Sequence, residues 1–138
     1  LPDVSSGDES RHISVWIDCT PDEVYRYAVA PEHLSSWAAG LAQSELTRVE
    51  DHWVAQSPMG PVEIRFAPAN DFGVLDHVVT IPGAEPVLNP MRVLPDGPDR
   101  CEVVFTLRRR GMSISDYEAD ASAVTADLAT LKRLLEDR

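Results

Sequence analysis

From His12 the chain alternates, with Ile13, Val15 and Ile17 on one side and Ser14, Trp16 and Asp18 on the other. A period of two is that of a strand, so the stretch predicts a half-buried β-strand. Thr20-Pro21-Asp22-Glu23 ends it. Thr20 can cap free amides, Pro21 has the φ of a first helical residue, and Glu23 completes a capping box. Val24, Tyr27 and Ala28 follow at helical spacing, and a second short helix from Pro31 carries Leu34 and Trp37 before Gly40.

Short β-like runs fill the middle: 45–50, 52–57, 62–67, 74–81, 87–94 and 101–109. Glu50-Asp51, Pro58-Met59-Gly60, Asn70-Asp71, Pro82-Gly83 and Pro95-Asp96-Gly97-Pro98 punctuate them. The short gaps make consecutive runs hairpin partners in an antiparallel meander. No fixed period recurs, which argues against a solenoid or propeller. Toward the C-terminus, Tyr117, Ala121, Val124, Leu128, Leu131 and Leu135 form one apolar stripe on a helix of about six turns. Ser115-Asp116-Tyr117-Glu118 is the capping box expected to start it. Such a stripe must lie against something, and the apolar face of the sheet is the surface large enough. The expected class is therefore α+β: a curved, seven-stranded antiparallel sheet around a long C-terminal helix, with two short helices after the first strand.

At 138 residues the chain has room for one domain. Residues 1–10 are polar and acidic, an expected flexible leader, and 11–138 form the domain. Lys and Arg number 12 against 23 Asp and Glu, a net charge of −11. That balance excludes a phosphate-neutralising surface, so neither nucleic acid nor an anionic membrane is an expected partner. No apolar run approaches the ~20 residues of a membrane span, and a cytoplasmic location is expected. The two cysteines, Cys19 and Cys101, form no disulfide framework. If the first strand lies antiparallel beside the last, both come to the same end of the sheet near its inner face, as free thiols.

The order of elements resembles the helix-grip fold of the START-like, or SRPBCC, superfamily, over residues 11–136. The carriers are Ile13-Ser14-Val15-Trp16-Ile17-Asp18-Cys19-Thr20-Pro21-Asp22-Glu23-Val24-Tyr25, Trp37, and the terminal Asp127-Leu128-Ala129-Thr130-Leu131-Lys132-Arg133-Leu134-Leu135-Glu136. Gly73-Val74-Leu75-Asp76-His77-Val78-Val79 and Pro90-Met91-Arg92-Val93 look similar to the polyketide cyclase/dehydrase-like branch. The resemblance implies a cavity between sheet and helix for a small, mostly apolar ligand. It leaves chemistry open, because the superfamily holds carriers, receptors, cyclases and chaperone activators.

There is no phosphate-binding loop, no G-x-S-x-G, no H-E-x-x-H and no C-x-x-C. His12, His33, His52 and His77 show no local metal spacing, so neither a metal nor another cofactor is expected. His77 shares parity with Leu75, Val79 and Ile81, the more apolar set, and so faces inward. There it is either a general base or hydrogen-bond donor to a ligand, or a histidine bonded to a neighbour with no chemistry. Asp76 has opposite parity and is no partner on that face. Trp37, Trp53 and Tyr117 are candidates for the cavity mouth, and Phe66, Met91 and Phe105 for its wall, with core packing as the alternative for each. Arg92 points outward. Arg108-Arg109-Arg110 is the one basic run, and it either offsets carboxylates or docks an acidic partner. The expected function is binding of a small hydrophobic or aromatic molecule by a monomer or homodimer. The alternatives are a cofactor-independent polyketide cyclase or dehydratase using the same cavity, and a chaperone-activator-type interaction module presenting Trp16 and the arginine run.

Overall fold

The first strand and the last pair directly. In the computed structural model, which describes residues 9–39, 46–57 and 60–138, β1 (Ser10–Ile17) runs antiparallel to β8 (Cys101–Arg108). Their register extends from Ser10 opposite Arg108 to Ile17 opposite Cys101. Matching parity puts Ile13, Val15 and Ile17 on the same face as Phe105, Val103 and Cys101, so a single apolar surface forms across the pair. The other strands are β2 (Thr47–Val49), β3 (His52–Ser57), β4 (Gly60–Phe66), β5 (His77–Thr80), β6 (Val87–Asn89) and β7 (Met91–Pro95). The helices are α1 (Pro21–Val29), α2 (Pro31–Trp37) and α3 (Ile114–Glu136).

Every strand pairing is antiparallel, in two ladders ordered β1-β8-β7 and β2-β3-β4-β5-β6. The described residues thus hold eight strands, not the seven expected, and Pro90 is the reason. The expected strand 87–94 is divided there: β6 pairs with β5, whereas β7 pairs with β8. Proline has no N–H to donate to a ladder, but its carbonyl accepts from Thr106 N–H at 2.9 Å, holding the ladders together at the bend. The expected strand 74–81 is shortened at its start for a related reason. Leu75 N–H donates to the Met91 carbonyl at 2.9 Å, and Val74 bridges Arg92, so this stretch is tied to β7. Gly73 allows the approach. Its φ is 72°, and a Cβ there would sit 2.4 Å from the Val93 carbonyl oxygen.

Thr20 caps α1, its hydroxyl oxygen accepting from Glu23 N–H at 3.1 Å. The return half of the box is a contact of the two side chains, the Thr20 hydroxyl donating to the Glu23 carboxylate at 3.2 Å. The expected start of the long helix is corrected. Ser113, not Ser115, is the cap, accepting from Asp116 N–H at 3.1 Å. Glu118, which a cap at Ser115 would employ, is instead paired with Arg11 of β1. Ser10 and Arg11 belong to β1, and the Glu9 carbonyl accepts from Arg109 N–H. Residues 1–8 of the expected leader 1–10, the Gly40 helix stop, part of the 45–50 run and the Pro58-Met59 turn lie outside the described residues.

The α3 stripe is buried as its spacing requires. Leu128, Leu131 and Leu135 pack into the main core with Ile17, Val24, Leu34 and Val103, and Tyr117 and Ala121 form a smaller buried cluster with Leu107. The polar flank of α3 is stitched to the end of β1. Asp18 N–H donates to Glu136 at 2.9 Å, and Lys132 donates to the Trp16 carbonyl at 2.6 Å. Both cysteines are free thiols, Cys101 beside Ile17 in the ladder and Cys19 two residues further along the chain. Burial, then the neighbouring Cys19, pushes the Cys101 thiol up to about 11.

Candidate functional site

Val124 is the one member of the α3 stripe that is only half-buried. It faces a cavity of about 510 Å³ between α3 and the sheet. β5, β6 and β8 supply one wall through His77, Val79, Val87, Asn89, Phe105 and Leu107. Val124 and Leu128 supply the opposite wall, and Trp37 with Ala38 closes the α2 end. Charge is kept to the rim, where Glu85, Asp120 and Asp127 are set against Arg108 and Arg110. This volume is within the usual range of small-molecule sites, which are apolar with a few oriented polar groups.

The polar groups inside include the Trp37 indole N–H and the pair His77 and Asn89, directly opposite each other in the β5–β6 ladder. His77 is only 3 % exposed. Its Nδ1 lies 3.0 Å from the Leu75 carbonyl oxygen, which can only accept, so Nδ1 carries the proton. Burial lowers the ring's pKa below the ordinary 6.5, against smaller opposing effects of that hydrogen bond and of Asp76. His77 is therefore a neutral imidazole at pH 7, with its lone pair on Nε2. No described residue bonds Nε2. Phe66 and Phe105 flank the ring at centroid distances of 5.2 and 5.9 Å. Asp76 does point away, as its parity predicts. Its carboxylate accepts from Arg92 and from Met91 N–H, each at 2.9 Å, which anchors the start of β5.

Of the expected site residues, Trp37, His77 and Phe105 line the cavity. Trp53, Phe66, Met91 and Tyr117 are not among its lining residues, and each has a packing reason. Phe66 is next to His77 in the β4–β5 ladder and supports that ring. Met91 lies fully buried opposite Phe105. Trp53 is half-buried opposite Ile64. Tyr117 is fully buried with Leu107 and Ala121, donates to the Leu107 carbonyl at 3.3 Å, and lies under the Arg11 guanidinium. Asn89 was not singled out from the sequence. Its signal was available: it shares parity with Val87 and Met91, so it is a polar residue on an apolar face. The Trp37 indole N–H is buried without an acceptor among the described residues.

At the rim, partial burial raises the Asp120 carboxyl above its ordinary value, and Asp116 adds to the effect. The arginine run is engaged within the domain. Arg108 donates to Ser10, Arg109 pairs with Glu9, and Arg110 donates to the Leu88 carbonyl. Trp16 is 41 % exposed with the Arg100 guanidinium stacked over it at 4.4 Å. A second depression, of about 860 Å³, lies between α1 and the turn bearing Phe72. Its Tyr25 hydroxyl already accepts from Asn70 N–H, and it shares no lining residue with the first cavity. Among the described residues no cluster of His, Cys, Asp and Glu is arranged to hold a metal, and no helix is long and apolar enough to cross a membrane.

A curved antiparallel sheet closed over one long C-terminal helix, with a cavity between them, defines a helix-grip domain. No family model matches the sequence, and no curated protein matches it. Solved structures do match. The protein XoxI from Bacillus cereus is similar at a TM-score of 0.70 and 16% identity, over 93% of this chain and 96% of that one. Truncated norcoclaurine synthase from Thalictrum flavum is similar at a TM-score of 0.67 and 13% identity, over 100% of this chain and 99% of that one. The di-domain ARO/CYC BexL from the BE-7585A biosynthetic pathway is similar at a TM-score of 0.67 and 16% identity, over 93% of this chain and 46% of BexL. At these identities the likeness shows the fold alone, an α+β helix-grip fold.

Proposed function

We propose that this domain binds a small hydrophobic or aromatic molecule in the cavity between its sheet and α3. The observation that carries the proposal is the composition of that cavity. Its volume is about 510 Å³, its walls are mainly apolar, and it holds one buried neutral histidine and one asparagine without a partner among the described residues. The Trp37 indole N–H of the same lining is buried without an acceptor among the described residues, and such a group is unfavourable until something bonds it. A neutral fluorescent probe, N-phenyl-1-naphthylamine, tests the reading. It should bind saturably, and Phe105→Trp and Val124→Trp, which fill the cavity from opposite walls, should each abolish binding. Phe72→Ala, at an 83 % exposed side chain in the second depression, should change nothing. Binding that survives both filling variants, or that is lost with Phe72, overturns the reading.

His77 also supports a second reading, a cofactor-independent cyclase or dehydratase of polyketide type using the same space. A neutral imidazole with a free Nε2 is competent to accept a proton near neutral pH. Its resting pKa, lowered by burial, makes it a weaker base than an exposed histidine. Turnover that vanishes in His77→Phe while probe binding persists would favour the enzyme; binding with no turnover of any polyketide-like substrate would leave a carrier.

A further inference from the structure

Resting on the binding role proposed above, we infer that His77 and Asn89 form a selectivity pair that accepts neutral hydroxyl-bearing ring compounds and excludes carboxylates. The inference starts from what each group can still do. His77 has committed Nδ1–H to the Leu75 carbonyl oxygen, 3.0 Å away. Its remaining polar atom, Nε2, is an acceptor, and so calls for a donor on the ligand. Asn89 is one ladder position across, and its amide offers both a donor and an acceptor. Directly opposed residues in an antiparallel pair have Cα atoms about 4.5–5.5 Å apart. One hydroxyl can therefore donate to His77 and accept from Asn89, or two neighbouring oxygens of one ring can be read separately.

The same arrangement works against an anion. A carboxylate facing Nε2 places two lone-pair-bearing atoms together, which is relieved only by a proton taken up by the ligand's own carboxyl or a second proton on His77. The first is unfavourable at pH 7 for a group of ordinary pKa about 4, and the second would create an imidazolium between Phe66 and Phe105 in a site where burial already disfavours the charge. The rim adds no compensation. Glu85, Asp120 and Asp127 outnumber Arg108 and Arg110, and both arginines already donate to Ser10 and to the Leu88 carbonyl respectively. The molecule as a whole carries −11. A fatty acid or aryl carboxylate would thus face the His77 acceptor with only the neutral Asn89 amide and Trp37 indole N–H to donate inside, and would meet net negative charge at the entrance. A neutral phenol meets a matched acceptor among aromatic walls.

Three ligands of one size separate these cases at pH 7: 1-naphthol, its methyl ether 1-methoxynaphthalene, and 1-naphthoate. Calorimetric titration should show 1-naphthol binding the native protein roughly threefold to tenfold tighter than the ether, the usual net effect of one hydrogen bond. Naphthoate should bind more weakly than either. In His77→Phe the preference for naphthol over the ether should fall to about twofold or less, and in Asn89→Leu it should shrink as well. Equal binding of naphthol and ether by the native protein, or naphthoate binding tightest, overturns the selectivity while the cavity reading stands. Failure of all three ligands to bind saturably overturns both. Because the decisive comparison uses the native protein, poor folding of either variant does not blunt it.

Discussion

Asp76 is the residue on which the placement of His77 most depends, and replacing it tests the architecture around the cavity. Its carboxylate makes three hydrogen bonds at 2.9 Å: one from Met91 N–H and two from the Arg92 guanidinium. They tie the residue before β5 to the start of β7, next to the point where the chain changes ladders at Pro90. Asp76→Ala removes all three. The arginine side chain is 48% exposed, so its share is discounted to about 0.5–1 kcal/mol for solvent screening. The Met91 N–H is partly buried and would lose its acceptor, at about 1–3 kcal/mol. A total of about 1.5–4 kcal/mol follows, which lowers Tm by roughly 5–14 °C in a domain of this size. Asp76→Asn keeps an acceptor for Met91 and should cost about 1 kcal/mol or less. Arg92 and Met91 N–H hold the Asp76 pKa below its ordinary 3.8, despite opposing burial. A lowered carboxylate pKa stabilises the fold above the unfolded value, and that contribution is lost as pH falls through the folded one. The stability gap between native protein and Asp76→Ala should therefore be full at neutral pH and narrow below pH 3.8. Thermal and urea melts measure it. Equal effects of the alanine and asparagine variants, or a gap that persists unchanged in acid, would refute the anchoring role.

Three further outcomes are expected. Ser113→Ala should destabilise by about 1 kcal/mol in denaturant melts, whereas Ser115→Ala should have little effect, because Ser113 caps α3. Leu131→Ala, at a fully buried position, should cost roughly 2–5 kcal/mol, and Arg133→Ala, on the exposed side, within about 0.5 kcal/mol; equal small effects would mean the stripe is not packed. His77 has a lowered pKa, so its contribution is complete above the unfolded value of 6.5 and lost as pH falls through the folded one. The stability difference between native protein and His77→Phe, followed by thermal melts, should move against the native protein below pH 6.5, and a flat difference would contradict a buried neutral ring.

The amino-acid sequence by itself determined the elements, their order and most of their facing. Alternation of Ile13, Val15 and Ile17 against Cys101, Val103 and Phe105 dictates which sides meet in β1 and β8. The spacing of Tyr117, Ala121, Leu128, Leu131 and Leu135 dictates which side of α3 is buried. Parity likewise turned His77 inward and Asp76 outward. These are local properties, carried by periods of 2 and 3.6 residues, and they survive without knowledge of the partners. Tertiary structure decided what those periods leave degenerate. The chain reads locally as a capping box at Ser115, but in the fold Ser113 caps α3 and Glu118 pairs with distant Arg11. Pro90 was visible in the chain, but its exchange of ladder partners depends on the Thr106 and Asp76 bonds reached across the sheet. The site was decided in the same way. Phe105, Phe66, Met91 and Tyr117 are all apolar and inward, yet only Phe105 meets the cavity. Hydrophobic patterning tells an inward residue from an outward one; only the divergence of α3 from the sheet tells a wall from a filled core.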